Sequence, residues 1–219
     1  MTSEGNRHFM SSATTARDNP SARAEATRTR IEEVAERLFR SLGYQKTAVA
    51  DIARELGMSP ANIYRFFPSK SAINEAIAER LLGAMREEIE AIARGPGHAS
   101  DRLRRLLSTL FERKLEVFFA ERRLHDMVAA AMEEHWGVIE RYLGAVNGAI
   151  RQVLQDGMEA GEFARSDPEA TAHTIMHAMV LWNHPALMQH CIARKGQPPE
   201  ELRAELAAMT EFVLRALRP

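Results

Sequence analysis

The chain has 219 residues, 45% hydrophobic and 27% charged, with a formal net charge of −1 at pH 7. That balance describes a chain with ample apolar core rather than a disordered one, and no apolar run approaches the roughly 18–20 residues that a membrane-spanning helix needs. The first residues are polar and lack the apolar segment of an export signal, and the single Cys191 cannot form an internal disulfide, so the expectation is a cytoplasmic protein with no membrane association.

In chain order, residues 1–22 read as a polar arm rich in Ser, Thr, Ala and Arg. A first helix follows, carrying Ile31, Val34, Ala35, Leu38, Phe39 and Leu42 at helical spacing and closed by Gly43. Val49, Ile52, Ala53 and Leu56 mark a short second helix over roughly 48–56, capped by Gly57. Ser59 at an N-cap and Pro60 at the first helical position start a third, which must stop before Pro68. Ile73, Ile77, Leu81, Met85, Ile89 and Ile92 mark a fourth, broken by Gly95-Pro96-Gly97. Leu103, Leu107, Leu110 and Phe118 mark a fifth helix, and Leu124, Met127, Val128 and Ala131 a sixth. The seventh carries Ile139, Leu143, Val146, Ile150, Val153 and Leu154 and ends near Gly161. Asp167-Pro168 opens an eighth and Pro198-Pro199-Glu200 a ninth. No alternating strand pattern occurs, so the predicted fold is all-α with about nine helices.

Two helices joined by a turn of about three or four residues form a helix-turn-helix, and the second of them enters the major groove of DNA. Here that helix offers Ser59, Pro60, Ala61, Asn62 and Arg65 at its N-terminal side. Asn62 has the geometry to pair with adenine and Arg65 with guanine, while Ala61 fits a thymine methyl. Arg65 equally suits a phosphate, and Asn62 a cap. Thr47 is placed as N-cap of the second helix, with its hydroxyl free for a phosphate or spent on the cap. Tyr44 either contacts the DNA backbone or packs. Arg28 and Arg30 either reach a flanking groove or phosphate or stay solvated. The charge agrees in sign: residues 20–70 hold nine Lys/Arg against six Asp/Glu.

The succession Leu42-Gly43-Tyr44, Thr47, Asp51-Ile52-Ala53, Gly57-Met58-Ser59, Ile63-Tyr64 and Phe67-Pro68-Ser69-Lys70 resembles the TetR family of bacterial transcriptional regulators over roughly residues 31–82. It departs at Pro60-Ala61-Asn62, where many members carry a Gly. The resemblance implies a three-helix DNA-binding domain over residues 23–70 and a helical ligand-sensing and dimerisation domain over 71–219. It also implies that Tyr64 and Lys70 touch phosphate, and that the double-stranded operator is read by a homodimer. By the same resemblance, the last two helices form the dimer seam, through Ile175, Met176 and Met179 on one and Leu202, Leu206, Met209 and Val213 on the other, stripes that also serve in part as intrachain core.

Soft and aromatic side chains in the second domain suit a pocket for an apolar or amphipathic inducer. The candidates are Met85, Phe111, Phe118, Met127, Trp136, Tyr142, His177 and Trp182, each of which also suits an ordinary core. His173 and His177 lie four apart, but no third ligand falls at a diagnostic interval, so no metal and no cofactor is assigned. No Gly-rich phosphate loop, nucleophile elbow or paired-carboxylate motif argues for an enzyme. The expected function is a ligand-released dimeric repressor. The alternative is a DNA-bound interaction, nucleoid or cell-division factor of the same fold without an inducer.

Overall fold

The computed structural model describes residues 20–119 and 137–219, with the side chains of 117–119, 185, 186 and 193 outside the description. The expected sixth helix falls outside these residues. Helix α1 runs Pro20–Leu42, so residues 20–22 of the expected arm are already helical. Helices α2 (Val49–Glu55), α3 (Pro60–Tyr64), α4 (Lys70–Arg94) and α5 (Ala99–Phe119) follow, and after them α6 (Gly137–Glu159) and α7 (Pro168–Ala178). The chain then passes through α8 (Val180–Asn183), α9 (Pro185–Gln189) and a π-helical turn at His190–Arg194 before α10 (Pro199–Ala216). There is no strand among the described residues.

Local chemistry accounts for most boundaries. Gly57 ends the turn after α2 at a φ of 65°, a region that a side chain disfavours. Ser59, Ser69 and Asp167 cap α3, α4 and α7 by accepting from the backbone N–H groups of Asn62, Ala72 and Glu169. The eighth helix divides where the sequence reading left it whole. Met179 (φ −92°, ψ 11°) leaves helical geometry, and His184, which precedes Pro185, is extended at ψ 119°. A proline ring excludes the helical conformation from the residue before it.

Two apolar cores form. Ile31, Phe39, Ile52, Ile63, Phe67, Ile73 and Ile77 belong to the N-terminal one, which therefore reaches into α4 past residue 70. Ile89, Leu103, Leu110, Phe111, Tyr142, Ile150, Ile175, Trp182, Leu202 and Val213 belong to the C-terminal one. Helix α4 serves both, and its 25 residues make a rod of about 38 Å at about 1.5 Å per residue. Gly83 lies between its two apolar ends, with open space where a Cβ would stand. Beside it α6 packs on α4 through Val138, against Ala78 and Leu82, and through the Arg141–Glu79 ion pair. Near the far end of α4, buried Arg102 of α5 donates to the Ala93 carbonyl at 2.6 Å and to Asp156 of α6 at 2.7 Å. Glu162 closes the bundle by accepting from the Ala99 and Ser100 N–H groups at the start of α5. Gly157 permits this approach, because a Cβ there would stand 2.2 Å from the Phe163 ring.

Candidate nucleic-acid interface

Helix α3 is only five residues long and gains its stability from its neighbours. Its inner side chain Ile63 and the following Phe67 are buried in the N-terminal core, each contributing about 1.5–3 kcal/mol of apolar burial. That anchoring turns Ser59, Pro60, Ala61, Tyr64 and Arg65 outward, with Asn62 half-buried. Tyr64 is 51% exposed, a large ring standing in solvent. Arg65 makes no hydrogen bond or ion pair among the described residues, which leaves its guanidinium available.

Three expected contact residues are occupied elsewhere. Thr47 is not the N-cap of α2. That position is Ala48, whose N–H is held by the Asp51 carboxylate at 2.9 Å, a bond that keeps the carboxyl below its usual range. Thr47 is 1% exposed, and its hydroxyl donates to the Gly43 carbonyl at 2.9 Å. Tyr44 is buried, edge-on to Phe39 with ring centroids 5.2 Å apart. Lys70 sends its ammonium back over the Tyr44 ring at 4.4 Å and donates to the Tyr44 and Thr47 carbonyls at 2.9 and 3.2 Å. Arg28 behaves alike, donating to the Phe66 carbonyl at 2.8 Å with its guanidinium 4.0 Å above the Phe67 ring. Two cations thus clamp the loops on either side of α3. Lys46, exposed beside Thr47 and without a partner among the described residues, was passed over in the sequence, although a lysine in a turn before a helix is a visible signal.

In the C-terminal domain the expected seam residues are spent inside the chain. Ile175, Met179, Leu202, Leu206 and Val213 are buried in the bundle core, and Met176 and Met209 are half-buried against it. An apolar stripe reads the same whether its partner is the same chain or another, and here the chain's own helices take it. The outward faces are instead His173, Thr174, His177 and Ala178 on α7, Val180 at the start of α8, and Ala204, Ala208 and Phe212 on α10. Phe212 is 60% exposed. Gly144 and Gly148, four apart on α6, have open space where a Cβ would stand among the described residues.

The pocket candidates divide as well. Phe111 and Tyr142 are interior, and Met85 is half-buried against the same core. Trp182 is interior with its N–H donated to the Leu202 carbonyl at 3.1 Å. His177 points outward rather than into the bundle. The Phe118 side chain, Met127 and Trp136 lie outside the described residues. Lys114 was missed. It continues the Leu103, Leu107, Leu110 stripe, so a cation on an apolar face was there to be seen.

Comparison with known proteins gives concordant matches. Residues 31–77 match the model for bacterial regulatory proteins of the tetR family, and residues 99–204 the tetracyclin repressor-like C-terminal domain. The transcriptional regulator UidR of Escherichia coli (strain K12) is 37% identical over 79 residues, or 34% of this chain and 40% of UidR, so the match spans less than half of that relative. The uncharacterized regulator YhgD of Bacillus subtilis (strain 168) is 25% identical over 175 residues, covering 74% of this chain and 88% of YhgD. A transcriptional regulator from Saccharomonospora viridis, solved in complex with choline, superposes with a TM-score of 0.66 at 24% identity, covering 85% of this chain and 96% of that one. At that identity the superposition establishes the fold.

Proposed function

The chain belongs to the TetR family of bacterial transcriptional regulators, and from that premise we propose that it is a homodimeric repressor which a small amphipathic molecule releases from a two-fold symmetric operator. It works on DNA in the cytoplasm; no helix among the described residues is long and apolar enough to cross a membrane. The observation that carries the DNA reading is the outward face of α3, where Ala61, Tyr64 and Arg65 are presented by the buried Ile63 and Phe67. Arg65 and Asn62 read base edges, while Tyr64 and Lys46 hold phosphates. Lys70 and Arg28 set the position of the reading helix rather than reading.

One reading helix covers few base pairs, so a symmetric pair is required. The exposed Phe212, Ala208 and Ala204 of α10, with the outer face of α7, form the proposed seam. The sensing reading is supported by buried polar atoms of the bundle, on Tyr142 and His184, that have no hydrogen-bond partner among the described residues. The shared fold of the choline-bound regulator also supports it. Helix α4, common to both cores, is the route by which a change in the bundle moves α3.

A mobility-shift assay on the operator found by footprinting tests the DNA reading. Tyr64→Ala should weaken binding to all sequences and lower its salt dependence by about one phosphate contact. Arg65→Ala should relax preference at one base pair, at a cost of about 1–3 kcal/mol. Unchanged affinity in both variants would remove α3 from the interface.

A further inference from the structure

Among the described residues two cations are buried in the C-terminal bundle, and they are matched to opposite degrees. Arg102 has the Asp156 carboxylate at 2.7 Å. Lys114 is as deeply placed, 7% exposed, yet the partner of its ammonium is a neutral amide oxygen, Asn183 Oδ1 at 2.5 Å. No carboxylate among the described residues is bonded to it. The acids on neighbouring elements are committed elsewhere: Glu88 of α4 to Arg113, and Glu211 of α10 to Arg104. Glu112, on α5 itself, is taken by Arg203 of α10. An ammonium so placed must shed its proton or find an anion, and burial alone brings Lys114 down to about 7.

Polar groups on elements packed against α5 also lack partners among the described residues. Tyr142, on the helix α6 that packs against α5, has a buried hydroxyl without a hydrogen bond among them, and burial pushes its ionisation up so that it remains a donor. His184, next in the chain after Asn183, has a buried Nδ1 likewise without a partner among the described residues. Asn183 itself sits between the two breaks at Met179 and His184, on a four-residue helix packed against α5. The helices that carry Tyr142 and Asn183 thus both pack on the helix of Lys114, and His184 follows Asn183 directly.

We propose that Lys114 is the head-group anchor of the ligand site, and that the ligand is an amphipathic monocarboxylate. Its carboxylate takes the remaining Lys114 N–H donors, Tyr142 supplies a further donor, and the apolar body packs among Phe111, Leu115 and Trp182. The inference rests on the ligand-sensing reading above and specifies the charge of what is sensed. Carboxylate binding holds Lys114 in its charged form, so above neutral pH the complex takes up a proton from solvent. A cationic ligand is excluded by the same ammonium.

The test is calorimetric titration of the full-length protein with straight-chain and aryl carboxylates, each paired with its primary amide and with a quaternary ammonium of the same carbon skeleton. The carboxylates should bind at least about tenfold tighter than their amides. At pH 8, runs in two buffers of different ionisation enthalpy should show proton uptake. Lys114→Met should abolish both the preference and the uptake, while melting shows that it folds. Equal binding of acid and amide, absence of proton uptake, or a preference that survives in Lys114→Met overturns the proposal. The two-buffer runs need no variant, so they decide the matter even where the substitution disturbs folding. Mobility shifts with the same probes separate the two readings. Release of operator by an amide or an ammonium but by no carboxylate overturns the head group and leaves sensing intact. Failure of every probe to bind or to release overturns both.

Discussion

A lysine carries one charge and three donors, and its surroundings decide what they do. Lys70 is half-buried against Tyr44 and gives two of its donors to the Tyr44 and Thr47 carbonyls, tying the loop before α2 to the start of α4. Lys70→Met should lower stability by about 1–3 kcal/mol, because it strips a charged donor from those carbonyls. Operator affinity should fall with it, whereas Tyr64→Ala should lower affinity at an unchanged melting temperature. Thermal melts beside mobility shifts separate the two roles, and a Lys70 variant with wild-type melting would return that residue to the phosphate contacts. Lys114 supplies a pH signature. Its folded pKa of about 7 lies below its ordinary 10.5, so between those values the unfolded chain binds the extra proton. Stability should therefore rise with pH from about 7 towards 10.5 and level off below 7, and Lys114→Met should remove that slope in denaturant titrations. Neither role could be read from sequence in full. The position of Lys114 on an apolar stripe was visible, but that its partner is the neutral Asn183, from a broken helix, was not.

At the scale of the helix, glycines mark where two elements come close and where they do not. Gly157 on α6 faces Phe163 and Ala99 so closely that a methyl group would overlap both. Gly157→Ala should cost about 1–3 kcal/mol through overpacking and loosen the cap that Glu162 places on α5. Gly83 on α4 is the opposite case, an open site in a helix interior. Gly83→Ala should add about 1 kcal/mol of stability, read in the same denaturant titrations. The helices were legible where punctuation is chemical: Ser59-Pro60, Asp167-Pro168 and Pro198-Pro199 each begin an element where the cap rules place it. The cap of α2 was not, because Thr47 had a competing acceptor in the Gly43 carbonyl, known only once the turn was folded. The division of the eighth helix was written in Pro185, whose ring acts on His184 before it.

For the whole molecule, what binds two chains is whatever the single chain leaves uncovered. Leu202, Leu206 and Val213, expected at the seam, are interior to the single chain, so the amphipathic pattern marked the helix's apolar face without telling which chain covers it. Phe212 is the large ring left exposed on α10. Phe212→Asp should shift the light-scattering mass from dimer to monomer at micromolar concentration and weaken operator binding; a dimer of undiminished affinity would exclude this face. Helix α4 runs through both cores, and α6 rests on it through Val138 and Arg141, against Ala78, Leu82 and Glu79, in the same helix that begins at Lys70. The sole thiol of the chain, Cys191, is buried and unpaired. A nitroxide reagent therefore meets little background in the folded protein, and a single introduced cysteine on the exposed outer side of α1, such as Glu33→Cys, carries one spin label per subunit. In the proposed dimer, dipolar spectroscopy on that label would return one interspin distance, and its change between operator and ligand would be a direct ruler for the separation of the two heads.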